Sequence, residues 1–236
     1  MNKNSNTYIV IYSTVMVVVV ATLLAVAALA LKSRQDANIL NEKKEAILAS
    51  LSAGDQSYDE YITAYVVNAQ GEQIEGQDPL QLLFDLKTAF AEKTLPVFEA
   101  QDGRIVVPVS GVGLWGPMWG YVALEQDRNT IAGIVLDHAG ETPGLGAEVA
   151  TPKHQAMYKG KTLFEGDEFV SVTLRKGGAK DPKHEVDAIS GGTKTSDGVT
   201  AMLKSSLGAY LPLLKANEPA EACCAECETK KVENNE

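Results

Sequence analysis

The chain has little cysteine, little histidine and little positive charge. Its 236 residues include three cysteines, all near the C-terminal end: Cys223, Cys224 and Cys227. No disulfide can therefore hold the main domain together. The three histidines are scattered, and no two have the spacing of metal ligands, so no metal site is predicted. A net charge of −10 repels phosphate backbones, which argues against a nucleic-acid partner.

The cysteines lie in a polar, acidic tail without a core, residues 215–236, which we expect to be disordered or weakly helical. Their pattern, C-C-x-x-C, has no obvious fourth ligand nearby. Free or oxidised thiols are therefore favoured over a zinc or cluster site.

One long hydrophobic run is present, from Tyr8 to Leu31, and it contains no charge and no proline. At about 1.5 Å per residue it is long enough to cross the roughly 30 Å hydrocarbon core of a bilayer. A signal peptide is the alternative, but its apolar region would be only about 7–15 residues long and would follow a basic segment. We therefore predict a seven-residue N-terminal tail (residues 1–7) and an uncleaved transmembrane helix over residues 8–31.

The charges that flank this run favour one orientation weakly. Lys3 precedes it, whereas four basic residues follow it: Lys32, Arg34, Lys43 and Lys44. The positive-inside rule would place the large domain in the cytoplasm. Long domains, however, translocate largely regardless of charge.

The rest of the chain predicts an α+β fold, because strands dominate the middle and helices the ends. Residues 32–55 form a predicted helical stalk that ends at Ala53-Gly54, and residues 56–214 form the main domain. A helix is predicted over 79–93 with Asp78 as its N-cap, a short helix over 146–157, and a helix over 196–209. The predicted strands begin at Tyr61 and then cover 96–100, 104–110, 119–125, 130–137 and 169–175, with a hairpin joining the fourth and fifth.

Three glycine-rich stretches interrupt this pattern: residues 110–120, 138–146 and 187–203. Glycine costs backbone entropy, so each stretch is either a set of turns or a close approach to a ligand. A single stretch is usually a turn. Three in one domain favour a flat or phosphorylated ligand.

The third stretch contains S-G-G-T-K-T-S, which is not a phosphate-binding P-loop, because both required glycines are missing: Ala188 and Thr193 stand in their places. A helix that starts here would still present free N–H groups and a dipole that favours an anion. The alternative is an ordinary helix cap made by Ser196 or Asp197. The residues alone leave both interpretations open.

Two further residue types have alternative roles. Trp115 and Trp119 either pack in the core or form an aromatic wall for a planar ring. Glu141, in the turn sequence E-T-P-G, either belongs to an ordinary turn or accepts a hydrogen bond from a ligand.

Taken together, the anchor and the three segments resemble NqrC, the C subunit of the Na+-translocating NADH:quinone reductase, over nearly the whole chain except the cysteine tail. The family motif D-x-x-S-G-A-T-x-T-S stands here as Asp187, Ser190 to Thr193, Thr195 and Ser196, with Gly192 in place of the usual alanine. The G-L-W and E-T-P-G-L-G segments of the family begin at Gly113 and Glu141. The G subunit of the Rnf complex shares the threonine motif and the anchor, but the G-L-W-x-x-M pattern is more similar to the sodium pump.

The resemblance implies an FMN-binding domain of mixed α/β structure with an antiparallel sheet. It implies that Thr193 is esterified to the phosphate of FMN, by a separate flavin transferase. The residues expected to hold the cofactor are Thr193, Ser190, Gly191, Gly192, Thr195, Trp115, Glu141, Thr142, Leu145 and Gly146.

The resemblance further implies an electron-carrying subunit of a Na+-transporting oxidoreductase that relays electrons from NADH towards ubiquinone. Its partners would be the other subunits of that complex and membrane lipid. The family places the domain on the periplasmic side of the inner membrane, and we follow the family over the charge count. Two alternatives remain: a G-type subunit of the Rnf complex, or an anchored binding or assembly module without redox activity.

Overall fold

The structure is a computed structural model, and it describes residues 6–216. The predictions for the cysteine tail therefore lie outside the described residues from position 217 onwards. Two compact units divide the chain, with the boundary between Lys44 and Glu45.

Helix α1 runs without interruption from Asn6 to Ser50. Of the described helices, it alone is long and apolar enough to cross a membrane. The hydroxyls of Thr14 and Thr22 donate to the carbonyl oxygens of the residues four positions earlier, at 2.9 and 2.8 Å. These polar groups are thus satisfied within the helix, as a lipid environment requires.

The helix ends three residues before the predicted Ala53-Gly54 stop. Ser52 adopts a left-handed conformation with φ 56°, and the N–H of Ala53 donates to the carbonyl of Leu48 at 2.9 Å. A left-handed residue that returns a hydrogen bond to the last turn is a common way for a helix to end.

The second unit is built on a six-stranded sheet with the order β2-β1-β3-β4-β5-β6, antiparallel throughout. This confirms the predicted antiparallel α+β domain, including the hairpin between the last two strands. The strands are β1 (Ile62–Val67), β2 (Gln73–Ile74), β3 (Leu95–Ala100), β4 (Ile105–Val112), β5 (Pro117–Leu124) and β6 (Ile131–His138).

Short helices connect and flank the strands. They are α2 (Tyr58–Tyr61), α3 (Pro79–Leu82), α4 (Leu86–Glu92), α5 (Pro152–Gln155) and α7 (Leu211–Lys215), with 3₁₀ helices at Gly146–Ala150 and Ala156–Tyr158. The helix predicted over 146–157 is therefore three short helical pieces.

The prediction of a single helix over residues 79–93 is wrong, because two helices, α3 and α4, occupy this range. The predicted cap is present: the Asp78 carboxylate accepts the N–H of Leu80 at 2.9 Å. Asp85 then begins a second helix by accepting the N–H and the hydroxyl of Thr88, at 3.1 and 2.6 Å. A side chain that caps a new N-terminus interrupts the preceding helix.

The strand predicted over 169–175 is also divided. Ser171 is left-handed, with φ 63°, and it separates β8 (Glu168–Phe169) from β9 (Thr173–Arg175). Strand β8 pairs with β7 (Phe164–Glu165), and β9 pairs in parallel with β10 (Glu185–Asp187), an element that was not predicted.

Both faces of the central sheet are buried. In β4, Ile105 and Val107 belong to one core cluster, whereas Val106 between them belongs to the other. Helix α6 (Thr193–Ala209) covers the first face, and the last turn of α1 with α3 and α4 covers the second. A run of apolar residues without alternation is what burial on both faces requires.

Candidate functional site

The three glycine-rich segments meet around one pocket of about 170 Å³. Nine of the ten predicted cofactor residues line it; Ser190, which is exposed, does not. The residues around the pocket are Leu114, Trp115, Glu141, Thr142, Leu145, Gly146, Gly191, Gly192, Thr193, Lys194 and Thr195. Lys194 was missed, because it occupies a variable position of the motif and nothing there signals a role.

One wall of the pocket is the N-terminus of helix α6. The helix begins at Thr193, three residues earlier than predicted, after Gly192 in a non-helical conformation and Gly191 with φ 73°. Its first turn leaves the backbone N–H groups of Thr193, Lys194 and Thr195 without partners inside the helix. Three N–H groups and the positive end of the helix dipole therefore point towards this end of the pocket, where an anion is favoured.

Ser196 is not the helix cap, nor is Asp197, so that interpretation is wrong. Ser196 lies inside the first turn, and its hydroxyl oxygen accepts the N–H of Ile189 at 3.0 Å. The same hydroxyl donates to the carbonyl of Gly192 at 2.9 Å. These two bonds hold the preceding turn against the helix, which explains why the helix can start at Thr193 without a side-chain cap.

The hydroxyls of the motif differ in accessibility. Thr195 and Ser196 are each 1% exposed, and the Thr195 hydroxyl donates to Glu141 Oε2 at 2.7 Å. Thr193 and Ser190 are exposed, but of these two only Thr193 lines the pocket. Thr193 is thus the motif hydroxyl that combines exposure with a place at the helix start.

The opposite wall contains Glu141, which is 5% exposed. Its Oε1 accepts the N–H of Trp115 at 2.9 Å, and its Oε2 accepts the Thr195 hydroxyl. Burial acts to raise the pKa of this carboxyl, but hydrogen bonds from Trp115, Thr195 and the N–H of Leu114, together with His138, outweigh it and lower the pKa. Glu141 is therefore an anion in the folded protein at neutral pH.

Two glycines make room for this carboxylate. A Cβ on Gly146 would overlap Glu141 Oε2 and Thr195 Oγ1, and a Cβ on Gly113 would overlap Glu141 Oε1. The close approach explains Gly113 and Gly146 better than turn geometry does, since neither residue has a positive φ.

The rim of the pocket is apolar and exposed. Leu114, Trp115 and Leu145 are 54%, 70% and 43% exposed, so core packing is the wrong interpretation for Trp115. Trp119, in contrast, is half-buried in β5 and is not among the residues around the pocket.

This arrangement fits a phosphorylated aromatic ligand. Free N–H groups and a hydroxyl suit the phosphate, and the apolar rim suits a planar ring. The pocket is smaller than the roughly 300–1,000 Å³ of sites that enclose a ligand. It can therefore enclose the phosphate end of such a ligand while the ring lies at the rim.

The site lies inside a known type of domain. Residues 113–208 match the family model of the FMN-binding domain. The fold and site thus define a protein with an apolar N-terminal helix and an FMN-binding domain.

The relatives define the family more closely. The chain is 34% identical to the C subunit of the Na(+)-translocating NADH-quinone reductase of Pseudomonas aeruginosa, over 92% of this chain and 99% of the relative. It is 33% identical to the C subunit of the same enzyme from Neisseria meningitidis serogroup A, over 86% and 90%. The chain belongs to the NqrC family, the C subunits of the Na+-translocating NADH-quinone reductases, as the motifs predicted.

Solved structures agree with this assignment. The crystal structure of the C subunit from Parabacteroides distasonis is 41% identical, with a TM-score of 0.73 over 80% of this chain and 98% of that chain. The structure of NqrC from Shewanella oneidensis is 27% identical, with a TM-score of 0.65 over 77% of this chain and all of that one. The long apolar helix fits a membrane-anchored subunit of an oxidoreductase complex.

Proposed function

We propose that the protein is an electron-carrying flavoprotein whose FMN is joined through its phosphate to the hydroxyl of Thr193. One observation carries this proposal: Thr193 is exposed, lies within the FMN-binding region and is the first residue of α6. Its hydroxyl therefore stands beside three backbone N–H groups that have no helical partner. The resulting phosphodiester keeps one negative charge, which these groups and the helix dipole stabilise.

Attachment is a phosphoryl transfer. A bond would form between Thr193 Oγ and the flavin phosphorus, and the bond from phosphorus to its previous oxygen would break. With a flavin dinucleotide as donor, the pyrophosphate bond would break, the nucleoside monophosphate would leave, and the threonine proton would be released. The product is heavier than the unmodified chain by one FMN less one water. We assign catalysis of this step to a separate flavin transferase, as the resemblance to the NqrC family implies.

The apolar rim would hold the flavin ring. Leu114, Trp115 and Leu145 present exposed apolar surface next to the phosphate end of the pocket. The flavin supplies the electron transfer, and the chain positions it. A ring held at the rim stays accessible to redox partners, while the covalent bond prevents its loss.

The chain would work within the sodium-translocating complex that its relatives are named for. We propose that it relays electrons from NADH towards ubiquinone, coupled to Na+ export, and that other subunits supply the ion path. The apolar segment of α1 that would cross the membrane contains no charged residue to bind Na+.

We also propose that the domain lies on the periplasmic side of the inner membrane, following the family. Protease added to intact spheroplasts should digest residues beyond α1. Digestion only after lysis would place the domain in the cytoplasm.

The flavin linkage is tested by expressing the full chain with an active flavin transferase, denaturing it, and recording intact mass and in-gel fluorescence. The wild type should gain one FMN less one water, and Thr193→Ala should gain nothing. Thr193→Ser should retain some flavin, because it keeps a hydroxyl at the helix start. Ser190→Ala, the matched control at the other exposed hydroxyl of the motif, should be labelled like the wild type. An unlabelled wild type would refute the electron-carrier proposal and favour a binding module.

A further inference from the structure

Glu141 is placed differently from a ligand-binding carboxylate. An ionised carboxylate can accept about four hydrogen bonds, and three protein donors already serve this one: the N–H groups of Leu114 and Trp115 and the hydroxyl of Thr195. Both oxygens of Glu141 are already engaged, Oε1 by the N–H of Trp115 and Oε2 by the hydroxyl of Thr195. The residue is also buried, with a relative exposure of 5%.

We propose that Glu141 is a positioning residue that makes no bond to the flavin. Its carboxylate clamps the loop of Gly113, Leu114 and Trp115 onto the first turn of α6. The clamp joins the loop that carries the rim to the helix that carries the acceptor threonine. The part of this inference that concerns the flavin rests on the proposed function.

The chemistry of the clamp requires a carboxylate. Its partners are all donors: the N–H groups of Leu114 and Trp115 and the hydroxyl of Thr195. An ionised carboxylate has two acceptor oxygens, whereas glutamine has one acceptor oxygen and one donating NH₂ group. A glutamine here must direct its NH₂ group at a donor on one side. The negative charge is also favoured close to the N-terminus of α6.

The clamp also fixes which threonine faces outwards. Residues two positions apart in a helix do not share a face. Holding Thr195 inwards on Glu141 therefore turns Thr193 away from the core, and Thr193 is exposed while Thr195 is 1% exposed. Thr195, which receives no flavin, thus sets the orientation of Thr193, the proposed attachment residue.

The first test uses the flavin-free full chain, produced without the transferase and held in detergent. The Trp115 amide hydrogen should exchange with deuterium about ten- to a hundredfold faster in Glu141→Gln than in the wild type, because a hydrogen bond to a charged group is lost. Glu148→Gln, an exposed glutamate in the next helical turn, should exchange like the wild type. If the exchange rate of the Trp115 amide in Glu141→Gln stays within about twofold of the wild-type rate, the clamp proposal is overturned. Loss of a hydrogen bond to a charged group changes the rate by more than about twofold.

The second test is a double-mutant cycle with Thr195→Val, which removes the hydroxyl and keeps the size. Each single variant should reduce the visible circular dichroism of the attached flavin, and the double variant should resemble the singles, because both remove the same link. If Glu141 instead bonds to the flavin, Glu141→Gln will change the flavin spectrum and Thr195→Val will not, which overturns the proposal. Should Glu141→Gln fail to fold, Thr195→Val alone must show faster exchange at Trp115.

The two proposals fail separately. A wild-type chain without covalent flavin would refute the proposed function. The exchange of the Trp115 amide in that same flavin-free chain would still decide whether the clamp exists.

Discussion

Replacing Gly146 with alanine should damage the site through one added methyl group. The backbone of Gly146 accepts alanine, since its φ is not positive. The new Cβ, however, would overlap both partners of the hydrogen bond between Glu141 and Thr195. Both are buried, so neither can move aside into solvent.

The magnitude follows from two costs and one gain. Losing a hydrogen bond to a charged group costs about 1.5–3 kcal/mol, and overpacking a filled site costs about 1–3 kcal/mol. Alanine returns about 0.4–1 kcal/mol by restricting the unfolded chain. If the side chains move apart, the hydrogen bond is lost but the overpacking is relieved, so the two costs do not add in full. We therefore expect the free energy of unfolding to fall by about 2–4 kcal/mol. For a domain of this size that corresponds to a melting temperature lower by about 5–15 °C.

The assay is thermal unfolding of the full chain in detergent, followed by circular dichroism, with covalent flavin measured on the same preparations. Gly140→Ala is the matched control in the same loop, because a Cβ there meets nothing within 4 Å and its φ is not positive. The control should equal or slightly exceed the wild type in stability. Equal melting temperatures for Gly146→Ala and Gly140→Ala, with a normal flavin content in both, would refute the close packing of Glu141 against Gly146.

Two further predictions concern stability. The lowered pKa of Glu141 implies that its contribution to stability is complete above the ordinary glutamate pKa of about 4.3 and is lost as pH falls through the lower folded-state pKa. In urea unfolding from about pH 7 down to about pH 2, the difference between wild type and Glu141→Gln should therefore shrink on acidification; a constant difference would contradict an ionised clamp. Tyr210→Phe should cost about 1–2 kcal/mol, since the fully buried Tyr210 hydroxyl donates to the carbonyl of Pro96 at 2.9 Å; unchanged urea unfolding would show that this bond contributes nothing.

The sequence predicts elements well where apolar patterning decides them. The apolar run of α1, the strands β3 to β6 and the cap at Asp78 all follow from local residue types. The division at Asp85 and the left-handed Ser171 do not, because neither residue is rare in a continuing element. Strand β10 was not predicted, because a strand of three residues is too short to show a period in its apolar residues. Its pairing with β9 also depends on the loop between them, which the sequence pattern does not reveal.

For the candidate site, motifs predicted which residues lie around one pocket but not the bonds between them. Thr193 and Trp115 were expected on the pocket, and both line it. Nothing local indicates that Glu141 bonds to Thr195, since they are 54 positions apart in the sequence. Nor does the pattern show α6 starting at Thr193, because serine at position 196 is equally suited to cap a helix. Long-range packing determines both features.

The distance in sequence between the walls of the pocket has a consequence for biosynthesis. The Gly113 loop is made early, the Glu141 turn later, and the α6 start last, so the pocket does not exist until nearly the whole domain has been synthesised. Strands β4 to β6 can pair before that, as a local meander. Under the proposed function, a ribosome-bound chain that stops before Thr195 would offer a flavin transferase an incomplete pocket. Flavin loading would then follow chain completion in time.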